Sequence, residues 1–350
     1  MNKKIVIIGA GLSGLLTAYR LLNKGFDIEI IEARNRIGGR IHTLQSGETN
    51  VDMGATWFNE IHKNLSALLG EFQIEFFEQS MKGSSFFEPF SATPAQVIEI
   101  PENSPSYRIV GGTSQLVEQI KNRLKTVKIS LSETVREIDF TNDKAIVVTN
   151  KQIINANFVI STIPQSLLVS KVKFIPNLPQ ELINIAKNTH TWMQDSIKIA
   201  LVYKIQFWKV KGISGTVFSN VGPITELYDH SNYNLNGFAL CGFANGEMVR
   251  YSKAERKTKI LLQLEKIFGK EALDYSDYHE TIWSEEEYTK NASQEGFVFP
   301  HQNNGHPIFR ENYYNDRLFL SGTETASEFP GYMEGAIIAA NHVASVILNF

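Results

Sequence analysis

The sequence predicts an α/β protein: a Rossmann-like domain with a mostly parallel sheet and helices, joined to a smaller second domain. Three observations predict it. A buried-type strand runs into a glycine-rich turn and a helix at the start, an acid closes the next strand, and a second strand, glycine turn and helix end the chain. At 350 residues the chain exceeds what one hydrophobic core usually fills, roughly 250 residues, so two domains are expected.

The first strand is Lys4-Ile5-Val6-Ile7-Ile8, a β-branched run of the kind that a parallel strand buried on both faces requires. Gly9-Ala10-Gly11-Leu12-Ser13-Gly14 follows, then Leu15, Leu16, Ala18, Tyr19, Leu21 and Leu22 at helical spacing. Glycines here allow a tight turn, close backbone approach to a pyrophosphate and tight helix packing, while the helix N-terminus offers free N–H groups to the anion. A second apolar run, Ile28 to Ile31, ends at Glu32, about 20 residues beyond the glycines. A carboxylate there accepts hydrogen bonds from ribose hydroxyls and repels a 2′-phosphate. A glycine triplet alone is a common turn; strand, glycines, helix, strand and acid in order make a dinucleotide site. That order leaves NAD and FAD both open.

The continuation Glu32-Ala33-Arg34-Asn35-Arg36-Ile37-Gly38-Gly39-Arg40 separates them. Its paired glycines let a loop close over the pyrophosphate, and Arg40 can neutralise that group through charge-assisted hydrogen bonds. On spacing alone, a glycine turn with solvated arginines is an equal reading. At the other end, Leu318-Phe319-Leu320 is a buried-type strand and Gly322-Thr323-Glu324 a turn whose carboxylate can bind ribityl hydroxyls. Gly331 precedes an amphipathic run from Tyr332 to Leu348, whose helix would point its positive end at the cofactor ring.

Composition narrows the rest. Hydrophobic residues at 43% and charged residues at 20% are ordinary globular values, and no apolar run approaches the roughly 20 residues that span a bilayer, so no membrane span is expected. The N-terminal apolar run breaks at Gly9 and reads as a strand rather than a signal peptide, which sets the expectation of a cytoplasmic protein. The single cysteine, Cys241, excludes an internal disulfide and a thiolate metal cluster. His301 and His306 read as loop histidines, and no metal site is expected. A net charge of −3 with dispersed Lys and Arg gives no footprint for nucleic acid.

Several segments together resemble the flavin monoamine oxidase family. Asp52-Met53-Gly54-Ala55-Thr56-Trp57 resembles its turn beside the flavin, and Tyr107-Arg108-Ile109-Val110-Gly111-Gly112 its return to the FAD domain. Val127 to Ile138 resembles a β-pair whose valine, here Val135, holds adenine through its backbone, and Phe158 to Pro164 a strand ending beside the cofactor. Ser196 to Trp208, Trp283 to Tyr288, and Ser321 to Gly335 complete the match. Only about residues 59 to 105 fall outside it, where family members carry a longer insert. The resemblance implies FAD, held by Gly9 to Gly14, Glu32, Ala33, Arg34, Gly39, Arg40, Gly54, Ala55, Thr56, Val135, Gly322, Thr323, Glu324, Tyr332 and Met333.

Three residues are candidates for chemistry. Strand alternation puts Lys198 on one face with Ala200 and Val202, where it is open to reading as an edge guard or a snorkelling lysine. The resemblance instead gives it a water beside the reactive flavin nitrogen. Tyr332 matches one wall of the family's aromatic cage and Trp283 an aromatic packed by the ring. Two positions depart from the family: Ala292 stands where the monoamine oxidases carry their flavin-linking cysteine, and Ser293 where they carry the other cage tyrosine. Non-covalent FAD is therefore expected, with Phe297 or Phe299 as possible substitutes in the cage.

The FAD-binding domain is expected to be discontinuous, over 1–58, 106–170 and 281–350, with a small β-meander beside its sheet. A smaller α+β substrate domain is expected over 59–105 and 171–280. Phe72, Phe76, Phe77, Phe86, Phe87 and Phe90 are either that domain's core or a pocket lining. The leading function is oxidation of an amine C–N bond by hydride transfer to flavin, with imine hydrolysis and reoxidation by dioxygen; the substrate is a small amine with an apolar group. The alternatives are a flavin desaturase or C–C oxidoreductase acting on a lipophilic molecule, and a catalytically silent flavin-binding protein.

Overall fold

The computed structural model describes residues 2–90, 94–101, 105–291 and 298–350. Its centre is a five-stranded sheet in the order Lys128–Ser130, Phe26–Ile31, Lys3–Ile8, Phe158–Ser161 and Leu318–Leu320, parallel throughout. Alternation along the first strand explains its unbroken hydrophobicity. Ile5 and Ile7 enter a core with the helices Leu12–Leu21, Ser114–Arg123 and Met333–Ile347, while Val6 and Ile8 enter a second core under a four-stranded sheet. That second sheet is the expected meander, Val135–Asp139, Ala145–Thr149 and Ile153–Ala156, plus one more strand, Lys173–Ile175.

The added strand extends this sheet beyond residue 170. It pairs parallel with Glu137–Asp139, and the helix Gln180–Lys187 buries Leu182 and Ala186 in the same core as Ile138 and Val147. Residues 173–187 thus pack on the cofactor side rather than in the substrate domain. The helix Lys63–Glu71 does likewise: Leu65, Leu68 and Leu69 join the core of Leu16 and Ile337, and its first-turn amides Asn64 N and Leu65 N donate to the buried Glu334.

The second domain is a seven-stranded sheet in the order Tyr275–Ile282, Ile197–Tyr203, Phe238–Ala244, Ile224–Asp229, Ile213–Ser219, Ser84–Glu88 and Gln96–Ile98. On one face Ile197, Ile199 and Leu201 pack with Ile260 and Leu264 of the helix Lys253–Phe268. On the other, Ala200 and Val202 meet Val51 and Met53, so this face is turned toward the first domain. Lys198 lies on it.

Candidate active site

A cavity of about 810 Å³ runs between the domains, within the range of ligand sites. Glu32, Arg34 and Val135 line one end; Trp57, Lys198, Phe243 and Tyr332 line the other.

The glycine turn divides its labour. Gly9 has φ +107°, and a Cβ on Gly14 would stand 2.0 Å from the Gly9 carbonyl oxygen, so these two glycines seat the helix against the strand end. Gly9 and Gly11 both line the cavity, but Gly11 differs in that a Cβ there would meet no protein atom closer than 3.9 Å. Its missing side chain serves whatever occupies the cavity. Leu12 and Ser13 also reach the wall, whereas Ala10 and Gly14 do not. The Ala10 N–H instead donates to Glu32 Oε2 at 2.7 Å and the Arg34 N–H to Oε1 at 2.8 Å, fixing the acid at the cavity's end. Gly38 N–H to Ala10 O, 2.8 Å, fastens the following loop over the turn and brings Gly39 to the wall.

The expected ribityl-binding acid has another partner. Glu324 is fully buried and absent from the wall; both its oxygens accept from Arg40, at 2.6 and 3.1 Å. A bidentate pair orients the guanidinium, and Arg40 itself lines the cavity. Gly322 stands behind with Glu324, but Thr323 and Met333 reach the wall. Thr323 Oγ1 donates to the Tyr332 carbonyl at 2.7 Å and accepts from Gly331 N at 2.9 Å, fixing the start of the C-terminal helix. Met333 is the first residue of that helix, so its free N–H groups and positive end lie at the cavity.

At the other end Lys198 is wholly buried on a strand paired on both sides, which removes the edge and snorkelling readings. Its Nζ donates to Gly54 O at 3.0 Å and Thr56 Oγ1 at 2.6 Å, and lies 4.3 Å from the Trp57 ring centroid and 4.7 Å from that of Phe243. Burial pulls its pKa down, opposed by the fields of Cys241, Asp52 and Glu226. The turn that receives it is tightly built: a Cβ on Gly54 would stand 2.1 Å from Arg40 O. Trp283 is placed differently from expectation. It is fully buried and off the cavity wall, and its Nε1 donates to Met53 O at 2.9 Å, bracing this turn from behind. Ala55 and Thr56 line the cavity, as Ala33 and Arg34 do at the far end.

Tyr332 is 40% exposed and lies beside three rings that sequence reasoning did not single out for the site. Trp192 is 5.9 Å away at 29°, His301 6.0 Å at 14° and His62 5.8 Å at 41°, with Trp192 and His301 stacked at 4.7 Å. Trp192 and His62 line the cavity. No periodic signal marks Trp192, which lies in an irregular segment before its strand. Ala292, Ser293 and Phe297 lie outside the described residues, and Phe299 is off the cavity wall and 65% exposed. None of the insert phenylalanines lines the cavity; Phe72 joins the core beside the first helix and Phe86 packs against that of the seven-stranded sheet.

Comparison with known proteins gives the family and the fold. Amine oxidase [flavin-containing] B of Homo sapiens is 25% identical over 452 residues, spanning 99% of this chain and 86% of its own. Amine oxidase [flavin-containing] A of Canis lupus familiaris is 25% identical, spanning 99% and 85%. Putrescine oxidase bound to putrescine shares the fold at TM-score 0.85 and 21% identity over all of both chains. Cyclohexylamine oxidase from Brevibacterium oxydans IH-35A shares it at TM-score 0.85 and 19% identity, over 100% and 99%. The model of the family described as flavin containing amine oxidoreductase matches residues 12–91 and 83–348, and the chain belongs to that family.

Proposed function

We propose that the protein oxidises small monoamines that carry an apolar group, using FAD held without a covalent bond. The observation that carries this reading is a buried lysine fixed at one end of a cavity whose other end presents a fixed acid beside a glycine turn. The donor set fits FAD: Glu32 for ribose, the turn at Gly11 and Arg40 for the pyrophosphate, Val135 for adenine, and the helix start at Met333 for the ring. FAD bound there supplies the acceptor for a hydride from the carbon bearing the amine.

The chain's own part is binding, orientation and proton placement. An ammonium has three N–H donors, and Lys198 uses two on Gly54 O and Thr56 Oγ1. The third is left to hold a water at the reacting end. Trp57, His62, Trp192, Phe243 and Tyr332 wall that end. Glu32, Glu133 and Glu287 are the carboxylates on the described wall, and they lie with Arg34, Val135 and Tyr288 at the other end. Among the described residues no carboxylate lines the wall beside these rings, so a second ammonium on a diamine would lack a direct anionic partner there and would pay its desolvation. An uncharged apolar group would not.

An anaerobic screen of monoamines, diamines, amino acids and lipophilic rings, read by flavin bleaching and then by peroxide on admitting oxygen, tests the reading. Aryl- or alkyl-monoamines should bleach the flavin fastest. Bleaching by unsaturated lipophiles alone would restore the desaturase reading, and a flavin inert to every donor the silent one; neither has an observation in its favour.

A further inference from the structure

A second cavity, of about 240 Å³, shares no wall residue with the first. Asp52, Arg108, Gly112 and His230 form its buried floor, and Glu48, Tyr233, Asn234 and Asn236 its exposed mouth, with Asn50 and Asn232 between. Nothing in the amine oxidation described above uses it.

Its floor is short of acceptors. Arg108 is 5% exposed, with its guanidinium 4.7 Å from the Phe77 ring centroid. Among the described residues that guanidinium finds one acceptor, Ser231 O at 2.5 Å from Nη2, and Nε has none. The two carboxylates whose fields reach it are engaged elsewhere. Asp229 accepts from Ser231 N, Ser231 Oγ and Gln206 Nε2; Asp52 accepts from Thr43 Oγ1 and Thr113 N. His230 adds a second deficit. The Asp52 N–H donates to its Nε2 at 3.2 Å, so the proton of the neutral ring sits on Nδ1, and Nδ1 has no partner among the described residues. Burial, with the fields of Arg108 and Lys198, holds the ring neutral. A buried guanidinium Nε–H and a buried ring N–H, each without an acceptor among the described residues, are costly unless something supplies one.

We propose that this second cavity is a binding site for a small, singly charged carboxylate. Two coplanar oxygens match the planar donor edge of a guanidinium, and the amide of Asn50 on the same wall offers polar contacts to the rest of the molecule. Charge sets the class. Asp52 on the floor and Glu48 at the mouth oppose added negative charge, and oppose a dianion such as phosphate or sulfate more than a carboxylate with a single charge. The volume limits the ligand to a small acid. The site is independent of the amine reading, since the cavities share no wall.

The test uses the full FAD-loaded chain, with acetate and lactate as probes and phosphate, sulfate and chloride at matched ionic strength as comparisons. Calorimetry and melting temperature should show saturable binding of the carboxylates, at least tenfold weaker in Arg108→Gln. Asn50→Phe, which fills the cavity from the strand Thr49–Asp52 and leaves Arg108 in place, should abolish it. Should Arg108→Gln fail to fold, Asn50→Phe decides alone. Absence of saturable binding, binding that survives Asn50→Phe, or phosphate and sulfate binding as tightly as carboxylates would each overturn the proposal.

Discussion

At the scale of single residues, Lys198 is where sequence and structure meet most directly. Alternation put it on the face of Ala200 and Val202, and that face is the one turned toward the first domain. Its partners were not legible, because a backbone carbonyl and a threonine hydroxyl from a distant turn leave no charge pattern in the sequence. Lys198→Met preserves much of the stem's volume but removes the ammonium's two hydrogen bonds, leaving Gly54 O with the Thr56 hydroxyl as its donor, which costs about 1–3 kcal/mol of stability. The variant should stay folded and yellow, while stopped-flow mixing with an amine and then with oxygen shows slower flavin reduction, reoxidation or both. Unchanged rates in both halves would reduce Lys198 to a structural role. Trp283 shows the opposite error: its motif was legible, but its indole braces Met53 O rather than facing the cavity. Trp192 takes the place beside Tyr332 without any sequence signal, since one aromatic residue in an irregular segment has no period to betray it. Trp192→Ala should raise KM for apolar monoamines several-fold and leave FAD content intact, because only its carbonyl contacts Arg40. Equal KM values in wild type and variant would remove it from the substrate wall.

Among elements, the opening strand, turn and helix were readable because each part obeys its own local rule: β-branched run, glycines, helical spacing. The strand Lys173–Ile175 was not. Three residues carry no alternation to read, and its partner strand is more than thirty positions away in sequence. That shortness is why its pairing with Glu137–Asp139 was not legible. The same opening element yields a paired prediction. A Cβ on Gly14 collides with the Gly9 carbonyl inside the protein, whereas one on Gly11 meets no close protein atom and stands at the cavity. Gly14→Ala should therefore destabilise the flavin-free protein, by about 1–3 kcal/mol for a small residue forced into a packed contact. Gly11→Ala should leave the flavin-free melting temperature close to wild type and lower the fraction of protein purified with FAD. If both variants melt alike without flavin and bind it alike, the division of labour between the two glycines is wrong.

For the molecule as a whole, the cavity joins two bodies. Glu32, Arg40 and Val135 belong to the first, Lys198 and Phe243 to the seven-stranded sheet of the second, and one ligand along that wall touches both. Ligand binding to the folded state stabilises it by mass action, about 2.7 kcal/mol at a free concentration 100 times Kd. A covalent link would make that stabilisation permanent; a non-covalent one makes it reversible. The chain's single cysteine argues for the reversible case. Cys241 is fully buried between the sheet and the 52–54 turn, its Sγ 3.6 Å from Asp52 O, and it is off the cavity wall. Burial raises its thiol pKa to about 11, so it is also a poor nucleophile near neutral pH. Acid precipitation should then send the yellow colour to the supernatant. Gentler removal of flavin should lower the melting temperature of the remaining protein, and added FAD should restore it in a concentration-dependent way. Colour retained in the acid pellet would contradict the non-covalent assignment. A melting temperature indifferent to FAD would mean that the cavity is not where the two domains are tied together.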